Sequence, residues 1–398
     1  MGILDAPGYT RAQADARYPT KLQAAGRGTL GGRIVYLGDS ITKGAATNTS
    51  ILLGESYPLY ASLLSGQKLY MAANSGIGGQ RTDEILARMD TDVWAYNPQT
   101  VIVTAGTNDY LQSIPFATFK ANFAAIIDNV QAHNAGCVVA TMPPHNTSSW
   151  HATISLWNTW IKQYAASRGV FVLDFNALLT DPATGGYITA LGGEDNIHPN
   201  STGYQAMGQL AVDQLSPKIA PAYPPLSIKN NDANNLFANG LMLTDTNADG
   251  VPDGWSASGG TGYTHSLVSV TNIPGKMWRT DMAAGSTTRS FNSVTLGTGK
   301  ISAGDRILFM GRVGAVAGSS IKLWLQFLDS GNAGLTRLTP MDTLSRNISD
   351  GSVFQIEGVA PANVANAQLY GTVGASANGG RVEIGQITIL NLTKLGLA

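Results

Sequence analysis

Residues 33–43 read RIVYLGDSITK, and the fold turns on this stretch: an apolar run rich in strand formers, RIVYL, breaks at Gly38 into a polar turn carrying Ser40. A residue just past such a run sits at the carboxyl end of its strand. Open α/β sheets keep their active sites at that edge. Gly38 relieves crowding of the backbone on the approach. Working outward, the apolar runs KLYMA, TVIVTAG, CVVATM and VFVLDF follow in turn, each trailed by a loop and usually by a helical stretch. That alternation predicts a parallel sheet flanked by helices. One helix is expected over Phe116–Ala132, where Phe119, Phe123, Ile126, Ile127 and Val130 recur at three- and four-residue spacing. Others are expected over 82–88, 154–167 and 202–215.

Four polar clusters punctuate the region. Beyond GDSIT with Ser40, the glycine-rich loop NSGIGGQR (74–81) follows the second strand, and its backbone N–H groups are suited to facing an anion. GTND (106–109) follows the third strand and brings an uncharged amide donor, Asn108, to the same sheet edge. DNIHP (195–199) presents a carboxylate and an imidazole three residues apart, just before a helix. Taken singly, each has a plain reading as a turn, a cap or a packing loop. Their joint order, each at the end of a strand or the start of a helix, points to chemistry.

As a set the four blocks resemble the SGNH, or GDSL-type, hydrolase superfamily over residues 31–216. The resemblance implies a flavodoxin-like three-layer α/β/α domain that hydrolyses esters, often acetyl groups on carbohydrates. It implies Ser40 as nucleophile, His198 as general base and Asp195 as the residue orienting that base. It assigns the oxyanion hole to the N–H groups of Ser40 and Gly79 and the side-chain amide of Asn108. No metal or organic cofactor is required by that chemistry. Asp39, His145 and Trp150 are candidate substrate contacts, the last two from the loop PPHNTSSWH, which reads equally as a solvated loop with a packed Trp.

Pro217, Pro221, Pro224 and Pro225 crowd the segment after the last predicted helix, so residues 217–230 read as a linker. Past it the pattern is β only. HSLVSV, KMWRT, RILFMGRV, IKLWLQFL, SVFQIEGV, AQLYGTV and RVEIGQITIL predict an all-β sandwich or jelly roll over 231–398, as a carbohydrate-binding-like or oligomerisation module. Trp255, Trp278 and Trp324 are candidates to stack on sugar rings, with Trp324 expected to point outward. DTNADGVPD spaces Asp245, Asn247, Asp249 and Asp253 like the first part of an EF-hand or dockerin calcium loop. Ser256 stands where the twelfth-position Glu is needed. Two readings of this loop stay open, a structural Ca²⁺ and a metal-free turn.

The bulk properties narrow the partners. The chain has 398 residues, 43% hydrophobic, with 46 glycines and 13% charged residues against a usual share of ~25%. A net charge of −1 gives no electrostatic case for nucleic acid or an anionic membrane surface. No run approaches the ~20 apolar residues of a membrane span, and the opening residues do not read as a secretion signal. Cys137 is the only cysteine, so no intrachain disulfide is possible. Residues 1–30 form an arm whose YTRAQADARYPTK resembles connecting repeats of bacteriophage tail-fibre and tailspike proteins. That resemblance implies a virion tail protein, commonly homotrimeric, acting on acylated bacterial surface polysaccharide; the other expectation for location is the cytoplasm. The alternatives in function are a lipase, lysophospholipase or thioesterase of the same superfamily, or a non-catalytic glycan-binding adhesin.

Overall fold

A computed structural model describes residues 30–44, 55–193, 195–220, 225–230, 232–316, 319–344, 348–375 and 377–397. The proposed amino-terminal arm falls almost wholly outside these residues. The chain divides into two compact units at 222/223.

The first unit alternates strands and helices: β1 (Arg33–Gly38), α1 (Ser40–Lys43), α2 (Tyr57–Leu64), β2 (Tyr70–Gly76), α3 (Thr82–Ala87), α4 (Met89–Asp92), β3 (Thr100–Thr104), α5 (Thr107–Leu111), α6 (Phe116–Ala132), β4 (Gly136–Ala140), α7 (His151–Ser167), β5 (Phe171–Leu173), α8 (Phe175–Leu179) and α9 (Ser201–Leu215). The five strands are all parallel and lie in the order β2-β1-β3-β4-β5. Successive strand residues face opposite sides, and both sides are covered, which is why these strands read as continuous apolar runs. Val35, Leu37, Val101, Val103 and Val139 share one core with Phe119, Phe123, Ile127, Trp157 and Ile161 of α6 and α7. On the other side Tyr36 meets Tyr57 of α2 edge-on, and Tyr57 meets Phe175 of α8. The unit is thus a three-layer α/β/α domain whose strand order reverses between β1 and β3, beside the end of β1.

Two glycines set the approach to that point. A Cβ on Gly38 would lie 2.3 Å from the Thr104 carbonyl oxygen and from Thr42 Oγ1, and one on Gly76 would lie 2.2 Å from the Lys43 nitrogen. The ends of β1, β2 and β3 therefore converge on α1 more closely than any side chain permits. Helices α2 and α9 also meet at a glycine, where a Cβ on Gly208 would be 2.5 Å from Tyr60 Cβ.

The second unit is a sandwich of two five-stranded antiparallel sheets: β6 (Trp255–Ser258), β7 (Tyr263–Val268), β8 (Met277–Met282), β9 (Arg289–Thr295), β10 (Arg306–Ala315), β11 (Ser319–Leu328), β12 (Gly334–Leu344), β13 (Ile348–Val359), β14 (Asn366–Ala375) and β15 (Gly380–Asn391). One sheet runs β13-β10-β15-β8-β7 and the other β12-β11-β14-β9-β6. Strand β11 alternates buried Ile321, Leu323, Leu325 and Phe327 with half-exposed Lys322, Trp324 and Gln326. Strands β6, β9 and β12 carry no clean apolar alternation in the sequence, and pairing with stronger neighbours makes them strands.

Candidate active site

Ser40 opens α1, with Asp39 as its N-cap: Asp39 Oδ1 accepts from the Ile41 N–H at 2.9 Å. Cap and glycine approach together hold Ser40 at the carboxyl end of β1. The loop between α8 and α9 delivers the imidazole. His198 Nε2 lies 2.7 Å from Ser40 Oγ, and His198 Nδ1 lies 2.5 Å from Asp195 Oδ2. The two groups from DNIHP and the one from GDSIT, 158 residues apart in sequence, are thus in hydrogen-bonded series.

Local structure aims this series. Asp195 Oδ1 accepts from the N–H groups of Ile197 and His198, which leaves Oδ2 for the ring, and Asn196 takes the left-handed conformation that the tight turn needs. The turn is fastened from outside: the Tyr187 hydroxyl donates to the Ile197 carbonyl, the Gly193 N–H to the His198 carbonyl and the Asn146 N–H to the Asn196 carbonyl. Asn200 then caps α9 by accepting from the Gly203 N–H. Partial burial opposes ionisation of Asp195, but the His198 N–H, the His198 ring and the Ile197 N–H outweigh it and hold its carboxyl below the usual carboxylate range. An ionised Asp195 beside Nδ1 puts the ring proton on Nδ1 and leaves Nε2 free to accept from Ser40.

The glycine-rich loop abuts Ser40: a Cβ on Gly78 would lie 3.8 Å from Ser40 Cβ. Gly79 next to it has φ +80° and open space where a side chain would be. Asn108, largely buried on α5, donates from Nδ2 to the Gln80 carbonyl at 3.0 Å, so the block after β3 is tied to the block after β2.

Three residues escaped sequence reasoning. Arg88 donates to the Gly38 carbonyl (2.9 Å), to Gln80 Oε1 (2.6 Å) and to Asp92, linking the end of β1 to the glycine loop. Gln112 donates from Nε2 to the Gly79 carbonyl at 2.9 Å. Asp109 is buried and accepts from the Thr82 N–H and hydroxyl, anchoring α3. A signal existed for Gln112, which lies four residues after Asn108 and hence on the same side of a helical turn. Arg88 had none.

Two of the three candidate substrate contacts, Asp39 and His145, lie below the surface. Asp39 is fully buried, with Oδ1 spent on its cap and Oδ2 unpartnered, so it supports the turn from below rather than facing a substrate. Burial, opposed in part by the Ile41 N–H, pushes its carboxyl up to about 7. His145 is also buried; its Nδ1 accepts from the Thr147 N–H and its carbonyl accepts from His151 Nε2. It is a loop brace. Trp150 is half-buried and packs on Tyr110 at 5.1 Å between ring centroids.

In the second unit Trp255 and Trp278 are core residues, packed with each other and with Phe291, and not surface platforms. Trp324 does sit on the outer side of its sheet, parallel to Tyr370 of β14 and overlain by Arg337 of β12. These neighbours reach it from strands on opposite sides of β11. The acidic loop closes on itself. Asp253 accepts from the Thr246 N–H and hydroxyl, Asp249 from the Val251 N–H and the Asn247 amide, and Asp245 Oδ2 from the Gly250 N–H. Only Asp245 Oδ1 is buried and unpartnered there. Among the described residues no group of three or more His, Cys, Asp or Glu side chains is gathered to hold a metal ion.

Residues 36–206 match the model of the GDSL-like lipase/acylhydrolase family. No curated protein sequence matches the chain. Among solved structures, similarity extends to a lipolytic protein of the G-D-S-L family from Desulfitobacterium hafniense, at 27% identity and TM-score 0.41, over 46% of this chain and 98% of that one. An acetylxylan esterase from Geobacillus stearothermophilus, solved as a catalytic mutant, is similar at 20% identity and TM-score 0.40, over 48% and 95%. A lipase/acylhydrolase from Enterococcus faecalis is similar at 22% identity and TM-score 0.39, over 48% and 98%. No helix among the described residues is long and apolar enough to cross a membrane.

Proposed function

We propose that the chain is a serine esterase, its first unit a GDSL-type hydrolase domain, that removes O-acetyl groups from a carbohydrate through an acyl-serine intermediate. The observation that carries the reading is the series Ser40 Oγ, His198 Nε2, His198 Nδ1, Asp195 Oδ2. A serine hydroxyl is a weak nucleophile at neutral pH, so His198 takes its proton as Oγ attacks the ester carbonyl. Asp195 stabilises the imidazolium that results. The negative charge developing on the carbonyl oxygen is met by the N–H groups of Ser40 and Gly79 and the Asn108 amide. His198 returns the proton to the leaving alcohol, and water then attacks the acyl-serine by the same route.

The carbohydrate half of the proposal is supported by the appended sandwich, with Trp324 and Tyr370 on an outer sheet face, and by the tail-fibre-like string in the amino-terminal arm. Under it the substrate is an acetylated bacterial surface polysaccharide, met by a homotrimeric virion tail protein. Light scattering tests that assembly; a monomeric mass would overturn it.

The direct test is hydrolysis of nitrophenyl acetate, butyrate and octanoate, with acetate release from acetylated polysaccharide, by wild type and by Ser40→Ala. Acetate-selective turnover that vanishes with Ser40 is expected. Faster octanoate hydrolysis would move the assignment to a lipase, and glycan binding without turnover would make it an adhesin. Asn108→Ala is expected to keep its fold and lose about 10²–10³ in kcat, the usual cost of one oxyanion donor; near-normal turnover would remove Asn108 from the site.

A further inference from the structure

We propose that Gln112 is a positioning residue which, together with Asn108, clamps the glycine loop so that the Gly79 N–H points at the developing oxyanion. The proposal rests on the reading of Gly79 and Asn108 as oxyanion donors.

Gly79 and its neighbour Gly78 are exposed, and beyond the adjoining residues no atom lies within 4 Å of the position a Gly79 Cβ would take. Side-chain packing therefore does not hold the peptide. Glycine visits positive and negative φ about equally readily, so a loop bearing Gly78 and Gly79 has little intrinsic preference for the φ of +80° seen here. A turned peptide would aim the N–H elsewhere and leave one donor fewer at the oxyanion.

Two side-chain amides replace the missing packing. Asn108 Nδ2 donates to the Gln80 carbonyl at 3.0 Å and Gln112 Nε2 donates to the Gly79 carbonyl at 2.9 Å. These are successive carbonyls of the loop, gripped by residues four apart: Asn108 within α5 and Gln112 at its C-cap. Their shared side of the turn follows from helical spacing. The Gly79 N–H belongs to the preceding peptide, and the turn closed by the Gln80 N–H on the Ile77 carbonyl at 3.4 Å joins the two, so a Gly79–Gln80 peptide held by the clamp restricts how far the Gly79 N–H can turn.

Arg81 keeps the clamp the right way round. Its Nη1 donates to Gln112 Oε1 at 2.8 Å, while its Nε and Nη2 hold the Asp83 carboxylate. A guanidinium is a donor only, so Gln112 must turn its carbonyl to Arg81 and its NH₂ to Gly79. Asn108 thus has two jobs, donor and clamp, whereas Gln112 has only the second.

The test is steady-state kinetics on the full chain with nitrophenyl acetate, comparing wild type, Gln112→Glu, Gln112→Leu, Asn108→Ala and Ser40→Ala. Gln112 is solvent-exposed, so its variants are expected to melt with wild type. Glu keeps the size and the Arg81 contact but cannot donate, and it sets a negative charge against the Gly79 carbonyl. Both Gln112 variants are expected to lose on the order of 10-fold in kcat with KM little changed, less than the ~10²–10³ of a lost donor. They are also expected to slow phosphorylation of Ser40 by diethyl p-nitrophenyl phosphate, whose phosphoryl oxygen needs the same donors. If Ser40→Ala and Asn108→Ala lose turnover while both Gln112 variants match wild type in kcat and inactivation, the clamp is overturned and the esterase reading stands. If Ser40→Ala keeps its turnover, the esterase reading falls and the clamp with it.

Discussion

The smallest scale at which this protein departs from expectation is one carboxyl group. Asp39 lies directly before the proposed nucleophile, fully buried, with one oxygen on the Ile41 N–H and the other unpartnered. Burial raises its pKa from 3.8 to about 7, so above that pH the folded protein carries a buried, half-satisfied charge. The folded state holds the proton more tightly than the unfolded one, so stability falls as pH climbs from about 4 to about 7 and stays lower above it. The rise corresponds to at most about 4 kcal/mol. Asn keeps the acceptor for Ile41 and cannot ionise. Asp39→Asn is therefore expected to gain stability over wild type in urea melts at pH 8 and to gain little at pH 4; an equal difference at both pH values would show that Asp39 is not the titrating group. The residue type was plain in the sequence. Its burial was not, because GDSIT reads alike whether its Asp faces a ligand or the floor of a turn.

At the scale of elements, the strands and long helices of the first unit were legible because their apolar residues repeat at a fixed period. Helix α6 falls on Phe116–Ala132, as the spacing of Phe119, Phe123, Ile126, Ile127 and Val130 predicts. Helix α7 begins at His151, three residues earlier than expected from Ile154, since its first turn carries no apolar residue of that period. Short elements such as α5 are set by their surroundings, and the clamp residue Gln112 at its end went unread with it. The acidic loop before β6 keeps both of its readings. As a metal-free turn its carboxylates serve the loop's own N–H and hydroxyl groups, and neither EDTA nor added CaCl₂ is then expected to move the protein's Tm. A rise of several degrees with Ca²⁺ would show that the loop reorganises to bind it.

At the scale of the molecule, every group of the proposed catalytic series and of the clamp, from Gly38 to His198, lies within the first unit, and the sandwich has a core of its own. Trp278 is almost completely buried among Trp255, His265 and Phe291. Trp278→Ala is expected to cost the sandwich about 3–5 kcal/mol, read as a shifted denaturation midpoint. Nitrophenyl acetate turnover at 25 °C is expected to stay within about twofold of wild type. Loss of turnover in a folded variant would mean that the sandwich acts on the chemistry itself. The sequence alone determined the two architectures, α/β then all-β, and named the four blocks that carry Ser40, Gly79, Asn108, Asp195 and His198, because periodicity and residue type are local properties. Only the tertiary structure decided that Ser40 and His198 meet at 2.7 Å, that Asp39 and His145 lie below the surface, that Trp278 is core, and that Arg88 and Gln112 hold the loop. Those are matters of which distant residues approach which, and a hydrogen bond between partners tens of residues apart leaves no period in the chain.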